Sequence, residues 1–406
     1  MALATLPPLT LRKGGSGVEG IENLVSLLNQ HKFHMCDFVQ PLSGLYFTGG
    51  GNLAVGGLDP VLDEVHGSGF IEVNGIYRTL RRVNSQLSGM LDIPARYMDK
   101  LRDEATDEND FKQLLDHNLN SLAREAGRDG KKVLIRAMYG TEESHPGMSG
   151  VVRAILSDKY KAVDNLDTTM SVLAGMNEAG LSPENIRNVE LSDNRLYIFV
   201  DAPGVEVVSR VLMDGYRSPF NGQTGKEMPL VRAGFVVTNS EVGGGAFAVY
   251  PYATFLACMN GYQISTNERV RKVHLGGRLE EGQIDWSNET RVKANELLRS
   301  QVKDAVVRFL SEDFLEEAVR ELEKDAGVEL TKPEETIKIV SKEMTYSKAE
   351  QEGIMSMFIR GGQITSGGVA QAVTAFSQTI EDPDRAFDFN GTAQKAMQLA
   401  AQYGSK

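Results

Sequence analysis

The sequence predicts an α+β fold, with a largely antiparallel sheet packed on helices and a mainly helical C-terminal region. Three observations predict it. The middle of the chain reads strand–strand–helix–strand–strand between Lys131 and Val200, an order that belongs to the α+β class. A polar loop, Thr238 to Gly245, joins the apolar run Gly234–Val237 to the alternating run Ala246–Tyr250. Residues 291–325 place Leu298, Val302, Val306, Phe309, Leu315, Val319 and Leu322 on a helical period.

The elements follow in order. Residues 1–20 carry Pro7-Pro8 and a Gly14-Gly15-Ser16-Gly17 cluster and read as a flexible lead-in. A short amphipathic helix follows, with Ile21, Leu24, Val25, Leu27 and Leu28 on its apolar side. Leu45–Thr48 and Leu53–Val55 read as strands around Gly49-Gly50-Gly51. Phe70–Val73 reads as another, turning at Asn74-Gly75. Helical patterning runs from Tyr77 to Glu125, with Pro94 starting a new helix and Phe111–Ala126 forming a further one. Lys131–Tyr139 and Val151–Leu156 are spaced to pair across Gly140–Gly150. Asp167–Glu178 is a helix, and Val189–Leu191 and Arg195–Val200 form a hairpin at Ser192-Asp193-Asn194. Lys348–Phe358 and Val369–Thr379 are helical. Glycines 276, 277 and 282 punctuate the passage into the long helix. The expected organisation is a lead-in (1–20), an α+β core domain (21–285) and a helical C-terminal region (286–406).

With 406 residues, 41% hydrophobic and 24% charged, the chain has the composition of an ordinary soluble protein. Its net charge of −12 argues against charge-driven nucleic-acid binding over the whole surface, while leaving room for a local basic groove. From Glu312 to Glu335, ten acidic residues face three basic ones, a pattern that reads as a solvated face. The two cysteines, Cys36 and Cys258, form no disulfide framework and suit a reducing cytoplasm. No apolar run approaches membrane-spanning length, so a cytoplasmic location without a membrane partner is expected.

Chemistry-bearing motifs are sparse. The glycine cluster near residue 15 lacks the Gly-Lys-Ser/Thr ending of a nucleotide-binding loop. No Gly-x-Ser-x-Gly or His-Glu-x-x-His motif occurs. His31 and His34 are spaced like metal ligands but lack an acidic or cysteine partner pattern. No catalytic residue, metal or cofactor is expected. The basic clusters stand out against the acidic background. Arg78, Arg81 and Arg82 have the spacing of one helix face. Arg136 lies in one strand, and Arg153, Lys159 and Lys161 flank another. Arg269, Arg271 and Lys272 lie close together in sequence. Tyr77, Tyr139, Tyr160 and Tyr262 are interleaved with them. Cations that track phosphates and rings that stack on bases together describe a single-strand groove; solvated faces with local acid partners are the alternative. The loop glycines Gly243, Gly244 and Gly245 read either as a hairpin turn or as backbone that lets a polymer approach.

Three segments carry a resemblance. They are Val152–Tyr160 continuing into Val163–Asp167, Val237–Gly243 with Gly245-Ala246 and Phe255–Gly261, and Val369–Thr374. In order and spacing, over roughly residues 70–400, they resemble a phage- and plasmid-encoded family of unknown function. Gly244 departs from the basic or polar residue often found there, and the first seventy residues lie outside the likeness. The family's α+β pattern is similar to that of single-strand annealing recombinases of the Red-beta, Erf and Rad types. That resemblance implies a curved sheet backed by a long helix, ring or filament assembly, and annealing without ATP or a metal.

The expected function is therefore a phage-type protein that binds and anneals single-stranded DNA in recombination or replication. It would act as a homo-oligomer in the host cytoplasm. Arg78, Arg81, Arg82, Arg136, Arg153, Lys159, Lys161, Arg269, Arg271 and Lys272 would meet the backbone, Tyr160 would stack, and Gly243–Gly245 would allow close approach. The alternative is a structural or protein-interaction phage protein. A metal-dependent nuclease ranks last.

Overall fold

The central strands bury both faces, and this decides the architecture. Val133 to Tyr139 and Val151 to Leu156 hold no exposed residue, as expected of near-continuous apolar runs covered on two sides. The computed structural model describes residues 4–62, 69–106, 109–160, 162–257, 260–264, 270–272, 282–283 and 288–404.

Helix α1 (Gly17–His34) leads into β1 (Met35–Pro41), β2 (Tyr46–Thr48), β3 (Asn52–Val55), β4 (Val61–Leu62), β5 (Phe70–Ile71) and β6 (Gly75–Thr79). Next come α2 (Arg81–Leu91), α3 (Ala95–Asp103) and α4 (Phe111–Ala126), then β7 (Lys132–Tyr139) and β8 (Gly150–Ser157). Helix α5 (Asn165–Glu178) precedes β9 (Ile186–Leu191), β10 (Leu196–Val208), the short α6 (Arg210–Met213), β11 (Leu230–Asn239) and β12 (Phe247–Phe255). Three short strands, β13 (Asn260–Gln263), β14 (Val270–Lys272) and β15 (Gly282–Gln283), precede α7 (Asn288–Phe309) and α8 (Glu312–Ala326). The chain continues through α9 (Pro333–Glu343), α10 (Lys348–Gly361), α11 (Ser366–Ser377), α12 (Pro383–Asn390) and α13 (Ala393–Gly404).

Two curled, mainly antiparallel half-barrel sheets result. Sheet one has the order β15-β1-β7-β8-β6-β3-β2, antiparallel except between β6 and β8. Sheet two has the order β13-β12-β11-β10-β9, with β14 also on β12. Helices α2, α3 and α4 share one core with sheet one through Val83, Leu87, Met98, Leu115 and Leu119. Sheet two turns Phe235, Val237, Phe247 and Val249 toward α1, α5 and α7. Farther along the same strands, Val231, Ala233, Ala253 and Phe255 meet α8 to α13. The α+β class, the curved antiparallel sheets and the helical C-terminal region are as expected. The C-terminal helices α8 to α13 share a core with one end of sheet two.

Three local expectations need correction. Tyr77 and Arg78 lie on β6, and helix begins only at Arg81. The long helix of residues 291–325 breaks at Leu310-Ser311, where the Ser311 hydroxyl accepts the Phe314 amide and starts α8 anew. Residues 4–16 do not trail free. Leu11 pairs with Leu191 along the edge of β9 (2.7 and 2.8 Å), and the Gly14 amide donates to the Val189 carbonyl (2.9 Å). This strap covers backbone groups that an open edge would expose.

Candidate nucleic-acid interface

The glycine loop joins β11 to β12 as a hairpin, but its polar residues are buried. Glu241 and Val242 are 3% and 1% exposed. Val242 inserts among Val39, Leu134, Ala154 and Leu156 on sheet one. Arg82 and Gln86 of α2 donate to its carbonyl at 2.7 and 2.8 Å. Glu241 accepts from Arg153 (2.7 Å) and from the Asn165 amide opening α5 (2.6 Å). Its carbonyl accepts from Arg136 at 2.9 Å. Arg136 is paired in turn with Asp37 (2.8 Å) and Asp164 (3.0 Å). The loop is thus a clasp between the two sheets. A register shift beside Arg136 leaves Arg153 outside the β7–β8 pairing, and such a bulge re-aims a side chain. That is how two arginines from adjacent strands converge on one loop.

Burial pushes the Glu241 carboxyl up, but Arg153 and Arg136 outweigh it and hold the group well below the usual carboxylate range. Asp37 goes the other way. Burial, with Asp164 adding repulsion, outweighs Arg136 and pushes it up to about 6. A network this dry is stable only while nearly every member is bonded.

These contacts correct several assignments. Arg136 and Arg153, 2% and 4% exposed, are spent inside the protein and do not reach a phosphate backbone. Arg82 is held by the Asp193 and Val242 carbonyls, and burial lowers it to about 10. The Tyr160 hydroxyl donates to the Ser240 carbonyl and accepts from the Gly243 amide, which fixes the ring against the loop and away from base stacking. Tyr77, Tyr139 and Tyr262 are core side chains. Of the three loop glycines, Gly243 alone has a positive φ, at 82°. The close approach at Gly244 is made by Asn194 of the same chain. Arg78 forms a two-point pair with Glu142 and lies on β6, so it shares no helix face with Arg81 and Arg82. Arg81 and Lys159 are exposed. Lys161 and Arg269 lie outside the described residues. Arg271 and Lys272 are described only as backbone of β14, opposite Ala248 and Phe247. His31 and His34 are buried, each bonded to a backbone carbonyl (Pro8 and Tyr139).

Sequence reasoning missed a cleft on the other face of sheet two. It has a volume of about 380 Å³, with Phe199, Tyr252 and Phe387 among its walls and Arg12, Lys13 and Arg187 among its lining. The Phe199 and Tyr252 rings meet edge to face at 5.6 Å. The Arg187 guanidinium lies 5.2 and 5.0 Å from their centroids, within cation–π range. Asp201 stands 3.6 Å away, and the buried Arg187 Nε has no hydrogen-bond partner. Arg12 pairs with Glu190 and also donates to the Ile380 carbonyl, so the strap forms one rim. Helix α12 forms the other. The signal was present in β10, where Tyr197 and Phe199 alternate with Ile198 and Val200; a period of two puts both rings on one face.

No protein-family model, curated protein or solved structure matches the chain. Among the described residues, no group of three or more His, Cys, Asp or Glu is placed to hold a metal ion. Among them, too, no helix is long and apolar enough to cross a membrane.

Proposed function

We propose that the protein binds single-stranded DNA through the aromatic cleft of sheet two. It would serve ATP-independent strand annealing in recombination or replication, as a homo-oligomer in the cytoplasm of a phage host. The observation that carries the reading is the placement of Phe199, Tyr252 and Phe387 beside Arg12, Lys13 and Arg187 in one cleft. Rings accept any base, and flanking cations accept its phosphates, so recognition of this kind is tolerant of sequence. The net charge of −12 makes local contacts of this sort the route to binding.

The test is fluorescence anisotropy of a labelled oligothymidylate at low salt. Wild-type protein should retain it, and Phe199→Leu should weaken binding about tenfold, the scale of one lost stacking contact. Wild-type protein that fails to retain the strand, or a Phe199→Leu variant that binds equally well, sinks the reading.

A protein-interaction role is favoured by a different observation. Phe220, Ile359 and Ile364 are 48%, 70% and 57% exposed in segments joined by the Arg217–Gly361 backbone bond. Sedimentation with and without oligonucleotide separates the two, because an annealing protein changes its assembly state with DNA.

A further inference from the structure

The turn Gly49–Gly51 between β2 and β3 sits at a second cleft, of about 320 Å³, lined by residues of β6, α2, α3 and α4. All three glycines have positive φ (64°, 89° and 87°), and the amides of Gly50 and Gly51 converge on the Asp116 carboxylate. A side chain at Gly50 would press on the Lys112 stem, and one at Gly51 would strike the Arg102 guanidinium. The turn is therefore built bare where two cations from two helices lie over it. Arg78 and Arg81 reach the same cleft from β6 and α2, His145 stands at its wall, and Asp103 is the carboxylate of the lining.

The surroundings of these cations differ. Arg78 is matched by Glu142, which also lies 3.5 Å from His145. Arg81 is 67% exposed, with Asp99 and Asp103 at 3.6 and 2.9 Å, and exposed pairs of this kind exchange readily. Arg102 is bonded to neutral oxygens: the Thr79 carbonyl, the Thr79 hydroxyl and the Gly51 carbonyl. Its Nε is buried without a partner. Burial pushes its pKa down, against the pull of Asp99, Asp103 and Asp116. Arg78 and Arg81 have carboxylate partners, whereas Arg102 is a desolvated guanidinium with neutral partners, and such a group favours an added anion.

We infer that this cleft is a binding site for a phosphate group, with Arg81, Arg102 and Lys112 supplying the charge. The phosphate belongs either to a nucleic-acid backbone or to a small phosphorylated molecule. The inference stands apart from the aromatic cleft, which it does not require.

The experiment is calorimetric titration of the full chain with pyrophosphate at low salt, with oligonucleotide anisotropy in parallel. Arg81→Gln and Lys112→Gln should each weaken pyrophosphate binding about tenfold, the loss of one charge-assisted contact, with unchanged melting temperatures. Phe199→Leu should leave pyrophosphate binding intact, which separates this site from the stacking cleft. If the two variants also lose oligonucleotide, the site holds backbone phosphate; if they keep it, the ligand is a small phosphorylated molecule. No pyrophosphate binding by the wild type, or equal binding by both variants, overturns the inference.

Discussion

Arginines in two regions of this molecule have different surroundings. In the clasp, Arg136 and Arg153 meet Asp37, Asp164 and Glu241, and their charge is met inside the chain. In the aromatic cleft, Arg187 lies over ring faces, 3.6 Å from Asp201, with an unbonded buried nitrogen. The clasp holds two sheets together. The cleft holds Arg187 between two ring faces and Asp201. A basic residue in an acidic chain therefore says little by itself, because the position of the nearest carboxylate decides whether it supports the fold or serves a ligand.

The comparison breaks most readily at Glu241. Glu241→Ala leaves the buried Arg153 without its carboxylate and the Asn165 amide without its acceptor, and should destabilise the protein by about 3–5 kcal/mol, read from urea denaturation midpoints. The double change Arg153→Met, Glu241→Leu should recover most of that loss, since an apolar pair needs no desolvated charge. A double variant as unstable as the single one would mean that the clasp acts through more than its ion pair.

Gly244→Ala tests the loop backbone. The added methyl collides with the Asn194 side chain and should lower stability by about 1–3 kcal/mol, while oligonucleotide affinity stays unchanged if the loop is structural. Affinity lost without stability would return the glycines to the binding surface.

A pH series sharpens the electrostatics. Asp37, raised to about 6, gives stability that is full below its ordinary value and is lost as pH rises through about 6. Glu241, held low, gives stability that is present above its ordinary value and is lost as pH falls toward its depressed one. The Asp37 contribution to the denaturation midpoint should therefore fall between pH 4 and pH 7, against the buried His31 and His34, whose lowered values act the other way, and the Asp37→Asn variant should shift the slope by removing it. An unchanged slope would remove Asp37 from the network. The smallest effect is expected at the exposed Lys159, where Lys159→Gln should change stability by less than about 0.5 kcal/mol. A larger change in thermal melting would reveal a structural contact there.

Much of the fold was legible. The hairpins at 131–156 and 189–200, the helix at 167–178 and the helical C-terminal region all follow from local periodicity. Strand β1 was missed, because Met35–Pro41 carries Asp37 and Gln40 and does not read as an apolar strand. The break at Ser311 was missed because the apolar period continues across it; a hydroxyl cap, not a change of pattern, ends the helix there. The candidate site was far less legible. Tyr160 looked like a stacking ring, yet its hydroxyl is held by residues 240 and 243. Nothing local in the sequence marks Arg187 or Phe387, and they line one cleft only because α12 lies across sheet two.

By itself the sequence determined most of the elements, the α+β class and the presence of basic residues in an acidic chain, because periods of 2 and 3.6 are properties of neighbouring residues. Tertiary structure alone decided which charges are spent. Glu241 is 88 residues from Arg153, and Asp37 is 99 from Arg136, and whether a carboxylate meets a guanidinium over such separations depends on how the strands and sheets dock. Desolvation, which gives each pair its energetic weight, exists only once they have done so.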